Sequence, residues 1–249
     1  MERIKCTFSY DGTDFSGYQI QPNGRTVQEE FEKTLMKMHK GTPVKVTASG
    51  RTDRGVHALG QVIHFDSYLS IPIENWQRAL NAMLPDDIFV KEVHKVTGSF
   101  HARYGVIEKE YRYFIHNSKE PDVFKRNHTV FIGNELDILA MKQACEHIVG
   151  THDFSSFCAA NSGVKGDKIR TIYHVSCEKD VDTIMFRFKG SGFLYNMVRI
   201  LVGTLLEVGR GERNPTDLKQ ILQAKDRSCA GKTAPPQGLY LWNVKYESD

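Results

Sequence analysis

The feature that most constrains the fold is an order of segments, strand-helix-strand-strand-helix-strand, that occurs twice along the chain. In the first half, Ile4, Cys6, Phe8 and Tyr10 alternate with polar residues, which indicates a half-buried strand. Thr26 and Glu29 form a capping box, and the apolar positions after it recur at helical spacing. The same reasoning predicts the other segments of this half, which are strands at 44–48, 62–65 and 88–96, a first helix that starts after Thr26 and is stopped by Gly41 and Pro43, and a second helix at 73–83. This is the split pattern of a ferredoxin-like domain.

The second half repeats that order with one additional short helix. Its first strand carries Tyr111, Tyr113 and Ile115 on one face. Asn134 and Gly150 predict the start and end of a helix over 135–149. Strands are predicted at 169–178, 183–188 and 239–246, a long helix at 193–208, and a short helix beginning at Asn214-Pro215. We therefore predict an α+β fold of two ferredoxin-like halves, residues 1–105 and 106–249. Their antiparallel sheets would face each other across a central cleft.

Composition excludes several classes of protein. With 249 residues, 40% hydrophobic and 25% charged, the chain resembles ordinary globular proteins. Its longest apolar stretch, 193–208, contains Asn196, Arg199 and Glu207, which argues against a membrane span. The N-terminal residues do not form a signal peptide, so we expect a cytoplasmic protein. Five scattered cysteines without a Cys-x-x-Cys pair argue against a disulfide framework and against structural zinc.

The charge balance permits an anionic partner. The net charge is +3 and the pI is near 8.5. Basic residues occur along both halves and either line a phosphate-contacting cleft or form ordinary solvated surface: Arg25, Arg54, Arg78, Arg103, Lys165, Lys168, Arg170 and Arg210. The chain has neither a His-Glu-x-x-His motif nor a glycine-rich nucleotide fingerprint. We therefore expect no metal and no cofactor.

One loop has the composition of a catalytic loop. Gly50 and Gly55 frame Asp53, which has Arg51 and Arg54 on either side, and predicted strands flank the segment. A loop held between two strands can fix a carboxylate in place, as catalysis requires. The alternative is a solvated turn in which the arginines and the aspartate form salt bridges.

Two further residues are candidates for chemistry. Tyr111 on a sheet could stack on an unpaired base, or it could simply pack in the core. Arg199 lies among apolar residues of a predicted helix, where arginine is rarely buried without a partner. A carboxylate partner would have its pKa lowered by about 1–3 units. The alternative is a side chain that extends along the apolar surface to water. From the residues alone, we expect a cofactor-free enzyme that acts on an anionic substrate.

The segment Ser49-Gly50-Arg51-Thr52-Asp53-x-Gly55-Val56-His57-Ala58 closely resembles the signature loop of the TruA family of tRNA pseudouridine synthases. Further motifs of this family occur in family order: Tyr10-Asp11-Gly12-Thr13-x-Phe15-x-Gly17-Tyr18-Gln19, Phe100-His101-Ala102-Arg103, Lys109-x-Tyr111-x-Tyr113, Phe193-Leu194-Tyr195-x-Met197-Val198-Arg199 and Ala234-Pro235-Pro236-x-Gly238-Leu239. The resemblance covers essentially the whole chain. It implies the pseudouridine synthase fold with a basic cleft, and an enzyme that isomerises uridine to pseudouridine at positions 38, 39 and 40 of the tRNA anticodon stem-loop. It also implies a homodimer in which each tRNA contacts both subunits, without cofactor or metal.

The resemblance also implies roles for individual residues. Asp53 would be the catalytic aspartate, Tyr111 would contact the target base, and Arg199 would pair with Asp53. Arg51, Arg54 and His57 would bind the RNA around a flipped-out uridine. Whether Asp53 attacks C1′ or removes the proton from C2′ stays open at this point.

Two rival functions also stay open. One is a non-catalytic RNA-binding protein or RNA chaperone, with which mild basicity and strand tyrosines are compatible. The other is phosphoester hydrolysis at Asp53, which would require a metal cluster.

Overall fold

The computed structural model of the chain describes residues 1–159 and 166–247 and shows a mixed α+β protein. Two compact units are present. The first comprises Met1–Ile107 together with the chain from Tyr240 onward, and the second comprises Glu108–Leu239. The final strand, which ends the predicted second half 106–249, therefore lies in the first unit.

The first half of the chain contains six regular elements. They are β1 (Glu2–Tyr10), α1 (Val27–Met38), β2 (Thr47–Ala48), β3 (His57–Ser67), α2 (Ile73–Met83) and β4 (Ile88–Val96). α2 and β4 have the predicted bounds, and α1 begins directly after Thr26, as predicted. The predicted cap is also present, because the Thr26 side chain accepts the N–H of Glu29 at 3.4 Å.

The rest of the chain adds the remaining helices and strands. They are β5 (Val106–His116), β6 (Val130–Phe131), α3 (Ile138–Glu146), β7 (Gly150–Asp153), β8 (Ile169–Asp180), β9 (Thr183–Gly190), α4 (Met197–Gly209), α5 (Asp217–Ala224) and β10 (Leu239–Tyr246). Within the described residues, none of the five α-helices combines the length and the apolar character that a membrane crossing needs.

In the first unit, the pairing of β3 determines where the Asp53 loop emerges. β1 lies between β4 and β3 and is antiparallel to both. Because β1 occupies one edge of β3, the other edge is shared by two strands. β2 pairs with it at Ile63 and His64, and β10 pairs with its first residues, His57 and Ala58. The loop from β2 to β3 therefore leaves the sheet beside the point where β10 joins it.

The core of this unit lies between the sheet and its two helices. Phe8 on β1 packs against Phe31 on α1 with 5.0 Å between ring centroids, and Phe65 on β3 packs against Trp76 on α2 at 5.5 Å. All four rings are fully buried. This packing explains the predicted alternation of β1, whose apolar residues point into this layer.

In the second unit, β9 lies between β5 and β8 and is antiparallel to both. β7 extends the sheet beyond β8, and β6 pairs with the end of β5. α4 is buried along nearly its whole length, which fits its apolar sequence.

Several predicted boundaries in this unit were wrong. α3 begins at Ile138 rather than at residue 135, because Asp137 and not Asn134 caps it by accepting the N–H of Ala140 at 2.9 Å. Gly150 does not merely close that helix. With φ of 116°, it begins β7, a strand that the sequence patterns did not predict.

The predicted start of the long helix at residue 193 was also wrong. Asn196 has a left-handed backbone with φ of 60°, so α4 begins only at Met197. The short helix begins at Asp217, since Asn214 instead forms a turn in which its N–H donates to Asp217 at 3.0 Å. The strand predicted over 44–48 is shorter, and the strand predicted over 62–65 is longer, extending over His57–Ser67.

Candidate active site

Asp53 lies in a tight turn at the tip of the loop between β2 and β3. The N–H of Val56 donates to the carbonyl of Asp53 at 3.1 Å, and Gly55 adopts φ of 76°. Such a backbone favours glycine, which explains the second framing glycine of the motif. Asp53 is half-buried, whereas its neighbours Arg51 and Arg54 are exposed. The turn therefore presents a carboxylate between two outward-pointing cations.

The start of this loop is fixed by a buried glutamine of β3. The Ser49 hydroxyl donates to Oε1 of Gln61 at 2.7 Å, and Nε2 of Gln61 donates to the carbonyl of Gly50 at 3.0 Å. Ser49 and Gln61 are both fully buried. A buried side-chain amide that satisfies two groups in this way holds the backbone in one position.

Thr52 fixes the residue that directly precedes the aspartate. Its side-chain oxygen lies 2.7 Å from the Tyr10 hydroxyl, and its carbonyl accepts the N–H of Tyr18 at 3.1 Å. Burial raises the pKa of the Tyr10 phenol above its usual range, and the negative charge of Asp53 acts in the same direction. Tyr10 therefore stays neutral within electrostatic reach of the Asp53 carboxylate. The sequence patterns did not point to this arrangement.

Two glycines of the segment after β1 allow it to pass against the loop. A Cβ at Gly12 would lie 2.1 Å from the carbonyl oxygen of Val56. Gly17 has φ of 106° and lies close to the Thr52 carbonyl, which a Cβ would approach to 3.1 Å. The segment that contains Gly12 and Gly17 therefore packs directly against the loop that carries Asp53.

His57 secures the other end of the loop. Its ring is buried and stacks on Tyr240 with 4.6 Å between centroids, and its Nδ1 accepts the N–H of Gly12 at 2.9 Å. The same Nδ1 lies 3.1 Å from Oδ1 of Asp11, so the ring joins this end of the loop to the segment that follows β1. The expected contact of His57 with RNA stays a prediction.

We predict that Gly12→Ala destabilises the first unit and lowers turnover. The added methyl group would meet backbone rather than a flexible side chain, and such overpacking costs about 1–3 kcal/mol. Thermal unfolding and turnover measured on the same preparation test this. Gly98→Ala is the matched control, because a Cβ there meets nothing within 4 Å. Equal melting temperatures for both variants would contradict the close approach.

In the second unit, Tyr111 lies on β5 opposite Phe188 of β9. Its ring meets Phe193 edge to face, with 5.1 Å between centroids, and 9% of the residue is exposed. Tyr113, two residues on, is fully buried and donates its hydroxyl to the carbonyl of Pro235 at 2.7 Å. Tyr113 is thus a core residue, whereas Tyr111 is packed but retains some exposure.

Arg199 lies in the first turn of α4 and is held by two neutral acceptors. Its Nε donates to the carbonyl of Ala234 at 2.7 Å, and its Nη1 donates to Oδ1 of Asn196 at 2.9 Å. The side chain is half-buried rather than extended into solvent. Burial raises the pKa of the Tyr113 phenol, and the positive charge of Arg199 opposes that effect. The guanidinium is therefore oriented beside β5.

The segment from Ala234 to Gly238 contacts both α4 and β5. The N–H of Ala234 donates to the Arg199 carbonyl at 3.0 Å, and Pro235 accepts the Tyr113 hydroxyl. A Cβ at Gly238 would lie 2.7 Å from the Tyr113 ring, so this position requires glycine. The sequence contained this motif, but only the structure shows that it positions Arg199.

The opposite face of the second sheet carries a charge cluster that the sequence patterns missed. The carboxylate of buried Glu110 lies 2.7 Å from Arg112, 3.4 Å from Arg187 and 3.6 Å from Lys189. Glu110 and Arg112 flank Tyr111 in sequence, so their side chains point away from its face. Three cations around one anion give this cluster a net positive charge.

The candidate phosphate-binding residues differ in their environments. Arg25 donates to Asp87 at 2.9 Å and lies over the Phe15 ring at 4.2 Å, so it is committed within the first unit. Arg170 is half-buried, 3.6 Å from Asp167. Lys168 is half-buried, and Lys165 lies outside the described residues. The exposed members of the set are Arg54, Arg78, Arg103 and Arg210.

Comparison with known proteins gives a consistent result over the whole chain. The family described as tRNA pseudouridine synthase matches residues 7–105 and 144–247. Asp53 and Arg199 lie within the matched segments, and Tyr111 lies between them. The resemblance inferred from the sequence motifs is therefore confirmed.

Individual relatives match from end to end. A protein of Oceanobacillus iheyensis named tRNA pseudouridine synthase A is 56% identical over 249 residues, covering 100% of this chain and 98% of the relative. The protein of the same name from Bacillus subtilis is 55% identical over 247 residues, covering 99% of this chain and all of the relative. That of Geobacillus kaustophilus is 56% identical over 248 residues, covering 100% of this chain and 96% of the relative.

Proposed function

Because the chain belongs to the tRNA pseudouridine synthase family, we propose that it isomerises uridine to pseudouridine at positions 38, 39 and 40 of the tRNA anticodon stem-loop. The observation that carries this proposal is the fixed position of Asp53. Its loop is held at Gly50 by Gln61, at Thr52 by Tyr10 and at His57 by Gly12. A loop that is fixed at several points presents its carboxylate in one place, as action on a substrate requires.

The reaction balances without an external reagent. The bond between N1 and C1′ breaks, the uracil turns, and a bond forms between C5 and C1′. The hydrogen of C5 leaves as a proton, and N1 gains one. Ionised Asp53 begins this sequence either by attack on C1′ or by removal of the proton from C2′. The elements of the substrate are all retained, so no oxidant or reductant takes part.

Arg199 is proposed to pair with Asp53 and to keep it ionised. A guanidinium beside a carboxylate lowers the carboxylate pKa, and its planar fork also orients the carboxylate oxygens. The two hydrogen bonds of Arg199 to Ala234 and Asn196 support this role, because they fix the plane of the fork before substrate binds. The pairing joins two motifs about 150 residues apart in sequence.

The target uridine must leave the base stack, at a cost of a few kcal/mol. We propose that Arg51, Arg54 and His57 contact the RNA around the flipped-out nucleotide. The two arginines are exposed beside Asp53, which suits contact with phosphates and predicts salt-sensitive binding.

Tyr111 is proposed to contact the detached uracil. We predict that Tyr111→Leu slows turnover about 5- to 150-fold, the range expected when a stacked base loses its aromatic partner. Tyr111→Phe keeps the ring against Phe193 and loses less. Single-turnover rates of both variants test this, with thermal unfolding as the check on folding. Equal losses would show that the hydroxyl rather than the ring is required.

The remaining expectations form part of the same proposal. The halves 1–105 and 106–249 face each other across a basic cleft, and the enzyme is a cytoplasmic homodimer in which each tRNA contacts both subunits. Light scattering during size-exclusion chromatography tests the dimer, with and without tRNA. A monomeric enzyme that retains full activity would contradict it.

Carbodiimide treatment followed by primer extension tests the function and its positions together. A tRNA with uridines at 38, 39 and 40 should acquire reverse-transcription stops there after incubation with the enzyme. A non-catalytic RNA-binding protein or RNA chaperone, the rival reading, would bind the same tRNA and produce no stops. Stops at other uridines would confirm pseudouridine formation but contradict the assignment to positions 38, 39 and 40.

A further inference from the structure

The turn at residues 102–105 of the first unit carries an ordered aromatic ring, Tyr104, that is not buried in the core. Tyr104 is 79% exposed, yet its ring stacks on His101 with 4.4 Å between centroids and 30° between planes. The adjacent Arg103 is also exposed, and its guanidinium lies 5.9 Å from the centroid of Tyr104. One face of the stacked pair is therefore open to solvent beside a cation.

The turn that carries these side chains is internally bonded. Nδ1 of His101 accepts the N–H groups of Arg103 at 3.1 Å and Tyr104 at 3.2 Å. The N–H of Gly105 donates to the His101 carbonyl at 3.0 Å. Two donors that converge on one ring nitrogen fix the imidazole, and the fixed imidazole in turn supports the Tyr104 ring.

Ala102 anchors the turn to the core. It is fully buried, its N–H donates to Nδ1 of His64 at 3.1 Å, and its carbonyl accepts the Tyr246 hydroxyl at 2.7 Å. Burial, and next the positive charge of Arg3, lower the pKa of His64 to about 4. His64 therefore stays neutral and able to accept at physiological pH. Arg103 and Tyr104 thus project from a rigid support.

This combination fits an unpaired nucleotide. Every base has a π-face that stacks on an exposed aromatic ring, and a guanidinium beside the ring can bind the phosphate of the same nucleotide. A ring that is already held in place loses little side-chain freedom when a base stacks on it. An ordered aromatic–cation pair at a surface is accordingly a preformed binding element.

We propose that the Arg103–Tyr104 turn binds an unpaired nucleotide of the RNA substrate, with the base on the open face of Tyr104 and the phosphate at Arg103. This inference rests on the proposed function, in which the substrate is tRNA. Tyr104 and Arg103 then contribute to substrate affinity and not to the chemical step.

Binding of an anticodon stem-loop RNA to the full-length protein, measured by fluorescence anisotropy, tests the proposal. Tyr104→Leu should raise Kd about 5- to 150-fold, whereas Tyr104→Phe should raise it less than about threefold because the ring remains. Arg103→Ala should weaken binding and reduce the salt dependence by about one charge. Phe89→Leu is the control, since Phe89 is 54% exposed on β4 of the same unit.

Kinetics separate this role from a catalytic or structural one. Tyr104→Leu should raise KM by the same factor as Kd and leave kcat unchanged. A wild-type Kd for Tyr104→Leu, or a changed oligomeric state with unchanged RNA affinity, would overturn the proposal. The second result would make the ring a protein contact.

A measurement on the wild-type protein makes the test independent of how the variants fold. An anticodon stem-loop with 5-iodouridine in the loop should crosslink on irradiation to the peptide that contains Tyr104. Crosslinks confined to other peptides would contradict the proposal. If the protein binds the RNA but makes no pseudouridine, the proposed function fails while the Tyr104 assay remains decisive. If it binds no RNA, both fail.

Discussion

Replacement of Asp53 by asparagine is expected to abolish pseudouridine formation while tRNA binding survives. An amide can neither attack C1′ nor accept the proton of C2′, so both versions of the mechanism lose their first step. Loss of such a group lowers kcat by at least about 10⁴-fold. Single-turnover formation of pseudouridine with excess Asp53→Asn enzyme measures the effect.

Binding should survive because the loop is held by other groups. The backbone of Asp53 accepts the N–H of Val56, and Thr52 and Gly50 are bound by Tyr10 and Gln61. Asp86→Asn is the matched control, since Asp86 is an exposed aspartate on a turn of the same unit. If Asp53→Asn lost tRNA binding together with activity, Asp53 would be a folding or docking residue instead.

Arg199→Lys should lower turnover about 10²- to 10³-fold, comparable to the loss of one preorganised donor at a reacting charge. Lysine keeps the positive charge but lacks the fork that Ala234 and Asn196 hold in a plane. Weaker stabilisation of the ionised form should also raise the Asp53 pKa. The acid limb of the pH–rate profile should therefore move to higher pH.

Arg126→Lys provides the control for this substitution. Arg126 is exposed on a turn of the same unit and is not among the candidate phosphate-binding residues, so the same chemical change there should leave turnover at the wild-type level. A near-normal rate for Arg199→Lys, with an unshifted pH profile, would contradict the pairing with Asp53.

Local sequence patterns predicted the elements whose signals are complete within the segment. The start of α1 and the bounds of α2 and β4 followed from a cap and from uninterrupted periodicity. The start of α4 was predicted wrongly, because the left-handed backbone of Asn196 interrupts a mostly apolar segment whose pattern is typical of a helix. β7 was missed because Gly150 is equally suitable for ending a helix and for starting a strand. Only the pairing of Gly150 with Ile172 distinguishes the two cases.

In the candidate site, too, local sequence patterns predicted some features and missed others. The glycine-framed Asp53 is visible as a local pattern, as is the unusual Arg199 within an apolar helix. Several of the groups that hold them are distant in sequence and lack a local signal. Tyr10 reaches Thr52 across 42 positions, and Tyr113 reaches Pro235 across 122. His57 illustrates the limit, since its position in the motif says nothing of its stacking on Tyr240.

Pseudouridine formation is tested most directly by tritium release from tRNA labelled at uridine C5. Formation of the bond between C5 and C1′ displaces that hydrogen, and binding alone leaves it in place. The wild-type protein should release tritium in amounts equal to the uridines at positions 38, 39 and 40, and Asp53→Asn should release none. A wild-type protein that binds the labelled tRNA and releases no tritium would not be a pseudouridine synthase.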